Sequence, residues 1–208
     1  MLDTAARRLL ERPLDRAAAS LDVGWLTPDR LTAAGLVLGL GSAGAAAAGW
    51  WSGAAVLWLV SRLADGLDGP LARRRRARGE GDAGAGGFFD ITADFTVYGA
   101  TVVGVALGSS VEIGGGPLWP FLLVLLAYYV NGAAFLAFSS IAERSGRTLD
   151  DGRSLSFLGG IAEGTETILV HTLWLVVPWW APQIAVVWAA VVGVGAVQRI
   201  AAGYRALR

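Results

Sequence analysis

Asp65-Gly66-Leu67-Asp68-Gly69-Pro70-Leu71-Ala72-Arg73 is followed, across an arginine- and glycine-rich stretch, by Gly86, Asp90 and Asp94. The four aspartates lie between long apolar runs. A carboxylate at the centre of a bilayer costs about 2.5–3.5 kcal/mol on insertion scales, so four without partners would cost on the order of 10 kcal/mol. Something cationic has to stand among them, and a metal ion is the natural candidate. Positions 65, 68, 69 and 72 recur at three- and four-residue spacing and share one helical face, while Asp90 and Asp94 lie one turn apart on the next apolar segment. Two neighbouring antiparallel helices then aim all four carboxylates at one point. An oxygen-only donor set favours a hard ion, Mg2+ or Mn2+ rather than zinc, and two such ions sharing the carboxylates would clamp a phosphoryl group. Gly66 and Gly69 each cost a helix roughly 1 kcal/mol relative to alanine. Pro70 removes a backbone donor and is expected to distort the helix near Gly66. Glycines interleaved with aspartates predict a ligand lying close to the backbone.

The rest of the chain reads as membrane. Of its 208 residues 54% are hydrophobic and 16% charged, which suits one compact bundle of apolar helices rather than several soluble domains. Cysteine is absent and His171 is the single histidine, so thiolate and histidine-rich zinc sites are excluded. His171 itself reads as a satisfied helix-packing residue. Residues 1–22 set Leu2, Ala6, Leu9, Leu10 and Leu14 against Arg7, Arg8, Glu11, Arg12, Asp15 and Arg16, an amphipathic helical pattern bent at Pro13. No long apolar core follows, so this is no signal peptide. It reads as an interfacial helix lying on the membrane, with an ordinary solvated helix as the alternative. Six apolar segments follow, near Leu31–Trp50, Ala54–Arg73, Gly87–Gly108, Leu118–Ser140, Leu155–Pro178 and Gln183–Tyr204. Each is long enough to cross a hydrocarbon core of about 30 Å. The expected fold is an all-α integral membrane protein: an interfacial amphipathic helix (1–22), then six transmembrane helices in one catalytic bundle (23–208). The small residues of the first span, Gly35, Gly39, Gly41, Gly44 and Ala45 to Ala48, serve close helix contact.

All 17 basic residues are arginine, and they are sorted. With the N-terminus in the cytoplasm, inside segments hold Arg7, Arg8, Arg12, Arg16, Arg30, the cluster from Arg73 to Arg78, Arg144, Arg147, Arg153, Arg205 and Arg208. Outside connections near Ser52, Glu112 and Ala181 hold none, and only Arg62 and Arg199 fall within spans. That asymmetry places both termini and the aspartates on the cytoplasmic side. The use of arginine for lysine, with the Ala/Gly bias, points to a bacterial cytoplasmic membrane. Arg74, Arg75, Arg76 and Arg78 either attract an anionic nucleotide or lipid head groups, or simply set topology. Nucleic acid is excluded as a partner, because no basic soluble domain exists to bind it.

The pattern D-x-x-D-G-x-x-A-R, then G-x-x-x-D-x-x-x-D, is carried by Asp65, Asp68, Gly69, Ala72, Arg73, Gly86, Asp90 and Asp94. It resembles the signature of the CDP-alcohol phosphotransferases. Six spans, an interfacial first helix and Thr27-Pro28 before the first span resemble that family too, so the likeness covers nearly the whole chain. One departure is the connection from Arg74 to Ala85, longer than the family's usual one. The resemblance implies displacement at the β-phosphorus of a CDP-linked lipid, CDP-diacylglycerol: a small alcohol attacks and CMP leaves. It also implies that Asp65, Asp68, Asp90 and Asp94 hold two divalent ions, with Asp94 as general base. Gly69, Ala72, Arg73 and Gly86 line the CDP site, which Asp65, Gly66 and Asp68 complete. A homodimer is implied by the same resemblance.

For the acceptor alcohol, Glu163 and Glu166 are three residues apart and able to face one cavity, where they would meet hydroxyls or an ammonium group. The alternative is pairing with Arg199 or Arg62. Arg144, Arg147, Arg153 and above all Arg199 suit an acceptor bearing a phosphate. Two rival functions share the aspartates. An aspartate-rich membrane prenyltransferase uses similar motifs placed far apart, and a divalent-cation transporter has no need of Gly69, Ala72 and Arg73.

Overall fold

The computed structural model describes residues 2–80, 84–112, 114–145 and 164–208. Seven α-helices follow in order: α1 (Leu2–Ser20), α2 (Pro28–Ala47), α3 (Trp51–Arg76), α4 (Ala85–Glu112), α5 (Trp119–Arg144), α6 (Gly164–Val176) and α7 (Ala181–Leu207). A short 3-10 turn, Pro178–Trp180, precedes α7. No strand occurs among the described residues. Glu163, Arg147 and Arg153 lie outside them.

Local chemistry sets the helix starts. Thr27 Oγ1 accepts the Arg30 amide at 3.2 Å and Pro28 takes the first helical position, so α2 begins where capping and a fixed φ agree. Two prolines fail to interrupt their helices. α1 runs through Pro13 and α3 runs through Pro70, so the distortion expected near Gly66 does not break the helical assignment.

Among the described residues, four helical stretches are long and apolar enough to cross a membrane: Pro28–Ala47, Ala85–Glu112, Trp119–Arg144 and Pro178–Leu207. Their outer faces leave Val37, Val103, Leu126 and Val187 exposed, as lipid-facing helices do. The expected count of six exceeds these four for two reasons. α3 has 26 residues, but Arg62, Asp65, Asp68 and Arg73 to Arg76 make it too polar to qualify. α6 enters the described structure only at Gly164, 13 residues before its end. Trp50, Trp119, Trp179 and Trp180 are exposed at the turns before α3, α5 and α7. Trp51 Nε1 donates to Glu112 at 3.4 Å and so joins two of these turns. Amphipathic aromatic rings of this kind belong at a membrane–water boundary.

α2 is the shared axle. Both α3 and α4 pack along it, and they make no comparable contact with one another. Glycine makes this possible. A Cβ on Gly35 would stand 3.3 Å from the Ser61 carbonyl oxygen of α3, and one on Gly39 would enter the Val97 side chain of α4. On the facing surface, a Cβ on Gly104 or Gly108 would run into the carbonyls of Ala43 and Ala46. Gly35 and Gly39 of the first span are therefore packing residues, whereas Gly44 has nothing within 4 Å of its added Cβ, and α4 supplies a Gly-x-x-x-Gly pair. On the far side, an aromatic core joins four helices. Trp58 Nε1 donates to Thr172 Oγ1 at 3.0 Å, Trp188 Nε1 donates to Tyr128 Oη at 2.7 Å, and Tyr128 Oη lies 2.9 Å from His171 Nε2. His171 is fully buried against Trp58 and Trp174, but only one ring nitrogen is bonded, so its packing role is half-satisfied in hydrogen bonds.

α1 lies against α3 through Leu14, Ala17 and Ala18, which meet Leu67, Leu71 and Leu31. The connection after it is clasped by the arginine cluster. Arg78 donates to both Asp22 oxygens, at 2.7 and 3.0 Å, and Arg75 donates to Asp22 at 3.4 Å. Arg75 also donates to the carbonyls of Val23 and Leu26, at 3.0 and 2.8 Å. Part of the cluster thus secures a loop. The hydrogen bonds from Arg78 hold the Asp22 carboxyl below its usual range, against the smaller opposing effect of burial. A carboxyl lowered on folding contributes stability that is complete above its unfolded value of about 3.9 and is lost as the pH falls through the folded value. Asp22→Asn is therefore expected to unfold at lower temperature than the parent at neutral pH. The gap should close in acid. Thermal unfolding in detergent across pH 2–7 checks this, and a gap that persists unchanged in acid contradicts it.

Candidate active site

α3 carries Asp65 and Asp68, and α4 carries Asp90 and Asp94, so α2 sets the separation of the two walls. Asp65, Asp68 and Asp90 each offer one oxygen within 4.8 Å of the others, close enough for all three to hold one ion. Asp68 is the most buried, and Thr32 of α2 donates to its Oδ2 at 2.5 Å. Thr32 was not among the sequence-level candidates. Its only signal is a hydroxyl one turn inside the helix that both acidic helices lean on.

Asp94 behaves differently. Its Oδ1 accepts from Arg62 Nη1 at 2.7 Å, and the same nitrogen lies 3.6 Å from Asp65 Oδ2 and 3.4 Å from Tyr98 Oη. The guanidinium sits 5.1 Å from the Trp58 ring and 5.2 Å from the Tyr98 ring, a cation–π cradle for a charge that is 6% exposed. Three carboxylates converge and the fourth is turned to an arginine, rather than all four meeting at one point. Arg62 is thus paired with Asp94 and Asp65. The two acidic helices meet across the site through these side chains, while α2 is the element along which each packs most closely.

The remaining candidates fall as follows. A Cβ on Gly66 would meet Leu14 of α1 at 3.9 Å, an ordinary contact, so packing against the first helix does not by itself require glycine there. Gly69 lies beside Arg73, whose Nη2 is 3.8 Å from Asp15 in an exposed pair. Ala72 is partly buried on α3, and Gly86 is partly buried in the first turn of α4. Glu166 opens α6, and Arg199 of α7 is buried with its guanidinium 5.6 Å from the Phe135 ring.

Oxygen-only carboxylates from two helices, on a membrane bundle, define a site for metal-assisted chemistry on an anionic group. A sequence model described as CDP-alcohol phosphatidyltransferase matches residues 25–197, and the chain belongs to that family. It is a metal-dependent phosphotransferase of phospholipid synthesis, which leaves the prenyltransferase and transporter readings behind. The chain is 35% identical over 214 residues to the inner membrane protein YnjF of Escherichia coli strain K12, covering 100% of this chain and 98% of that one. Its fold matches the Mycobacterium tuberculosis phosphatidylinositol phosphate synthase PgsA1 solved with CDP-DAG bound, at TM-score 0.73 and 23% identity, covering 93% of this chain and 94% of that one. The same enzyme solved with manganese and citrate matches at TM-score 0.69 and 22% identity, over 92% and 88% of the two chains. The relative's name and the apolar helices agree that this is a membrane protein.

Proposed function

We propose that this chain transfers a phosphatidyl group from CDP-diacylglycerol to a small polar alcohol and releases CMP. The observation that carries the reading is the convergence of Asp65, Asp68 and Asp90 within 4.8 Å, on the residues of the family signature. The donor set fits a hard divalent ion, Mg2+ or Mn2+, and the family's two-ion arrangement would add Asp94. When bound, the ions neutralise charge on the pyrophosphate and orient it. The protein's own groups do the rest. Gly69, Ala72, Arg73 and Gly86 line the CDP site, which Asp65, Gly66 and Asp68 complete. Asp94 takes the proton of the alcohol as the new oxygen–phosphorus bond forms and the bond to CMP breaks. Glu166 and Arg199, with Glu163, receive the acceptor. That a mycobacterial enzyme of this fold was solved with CDP-DAG, and separately with manganese, supports the choice of donor and ion.

The bundle is read as six spans, α2 to α7, after an interfacial helix over residues 1–22, with both termini and the site cytoplasmic and two chains forming a homodimer. Sorted arginines support the topology. A cytoplasmic-leaflet site also suits a donor whose tails stay in lipid while CDP reaches water. Purified protein given CDP-diacylglycerol, Mg2+ and a panel of alcohols, among them glycerol 3-phosphate, inositol phosphate and serine, should release CMP with one of them. Omitting the metal should abolish release. No CMP from any acceptor would refute the donor assignment, and CMP release unaffected by a chelator would refute the metal.

A further inference from the structure

Arg62 is the buried charge that the reaction, as described, does not use. It lies one turn before Asp65 on α3, and its guanidinium takes Oδ1 of Asp94 at 2.7 Å, while Asp65, Asp68 and Asp90 converge without Asp94. We propose that Arg62 is a built-in rival of the divalent ion at Asp94: it neutralises Asp94 and Asp65 before loading, must release Asp94 when an ion binds there, and so sets how tightly that ion is held. This rests on the metal reading above.

Three observations favour rivalry over simple bracing. The oxygen that Arg62 engages belongs to the one signature aspartate left out of the three-carboxylate group. A guanidinium and a divalent ion beside the same carboxylate repel each other, and the partly buried setting screens that repulsion weakly. Arg62 also has somewhere to stay. The Trp58 and Tyr98 rings at 5.1 and 5.2 Å, the Ser61 hydroxyl at 3.1 Å and Asp65 at 3.6 Å hold the charge after Asp94 is given up. Ser61 is itself fixed by donating to the Gly35 carbonyl at 2.7 Å, so the cradle is anchored to α2. A released guanidinium therefore need not travel, and exchange of partners at Asp94 is a small local motion.

The test is Mn2+ binding to detergent-purified protein without substrate, followed by electron paramagnetic resonance of free Mn2+. Arg62→Gln should bind Mn2+ about tenfold more tightly than the parent, and its thermal midpoint without metal should fall. The gain should vanish in an Asp94→Asn background, because the rivalry exists only there. Arg62→Lys, a charge without the planar fork, should fall between Arg62→Gln and the parent. In turnover, Arg62→Gln should lower the Mn2+ concentration giving half-maximal rate. A residue that merely braces the fold would raise it. Should Arg62→Gln not fold, the parent still answers: Mg2+ should change its tryptophan emission as Arg62 shifts over Trp58, and Trp58→Phe should lose that change. Mn2+ bound equally or more weakly by Arg62→Gln, or an emission change that survives Trp58→Phe, overturns the Arg62 inference alone. A parent that binds no Mn2+ overturns the metal reading, and this inference with it.

Discussion

Asp94→Asn is expected to lower turnover by about a thousandfold or more while CDP-diacylglycerol still binds. Asparagine matches aspartate in shape, so the helix and the contact with Arg62 survive in outline. What goes is the negative charge, and with it the proton acceptor for the alcohol. Asp65, Asp68 and Asp90 remain grouped within 4.8 Å of one another, so the donor keeps its principal anchors. Asp68→Ala makes the contrast. Asp68 is 5% exposed, is tied to Thr32 and belongs to the three-carboxylate group, so its loss should remove metal dependence and activity together. Single-turnover rates beside donor-binding measurements separate the two. Normal turnover by Asp94→Asn would mean that another group takes the proton.

The second large effect lies away from the carboxylates. Gly108→Val is expected to destabilise the protein by on the order of 3 kcal/mol and to lower activity with it. An added Cβ at Gly108 would overlap the Ala46 carbonyl, which is backbone and has no rotamer to escape into. The two helices have to separate. Because α3 also leans on α2, the distance between the acidic walls changes as they do. Gly99→Ala, on the same helix with nothing within 4 Å of its added Cβ, is the control and should be neutral or slightly stabilising. Comparable loss of stability in both variants would show that helix propensity, not close contact, is being measured.

The aspartates were legible from sequence because charge inside an apolar chain is rare and their spacing fixes a helical face. The Thr27-Pro28 start of α2 was legible for the same local reason. Other features were less so. The acidic helices do face one another at the site, but α2, earlier in the chain, stands as common support to both, and sequence order carries no signal for that. Arg62 is readable as a charge within a span with Asp65 one turn away, but its shorter contact is to Asp94, 32 positions away on another helix and beyond any spacing rule. The Gly104 and Gly108 pair was readable at four-residue spacing and was overshadowed by the denser small residues of α2. The clasp at Asp22 was hidden because a lone loop carboxylate carries no pattern until Arg75 of α3 and Arg78 just beyond it close on it.

That α2 supplies none of the clustered aspartates, yet supports both helices that carry them, has a consequence for ion choice. Hard cations differ in oxygen distance by only a few tenths of an ångström, about 2.0–2.1 Å for Mg2+ against 2.3–2.6 Å for Ca2+. A methyl group gained or lost on the glycine face of α2 shifts helices by amounts of that order. The bore of the cation seat is thus adjustable from a helix that contributes nothing to its charge, and the aspartates themselves need never change.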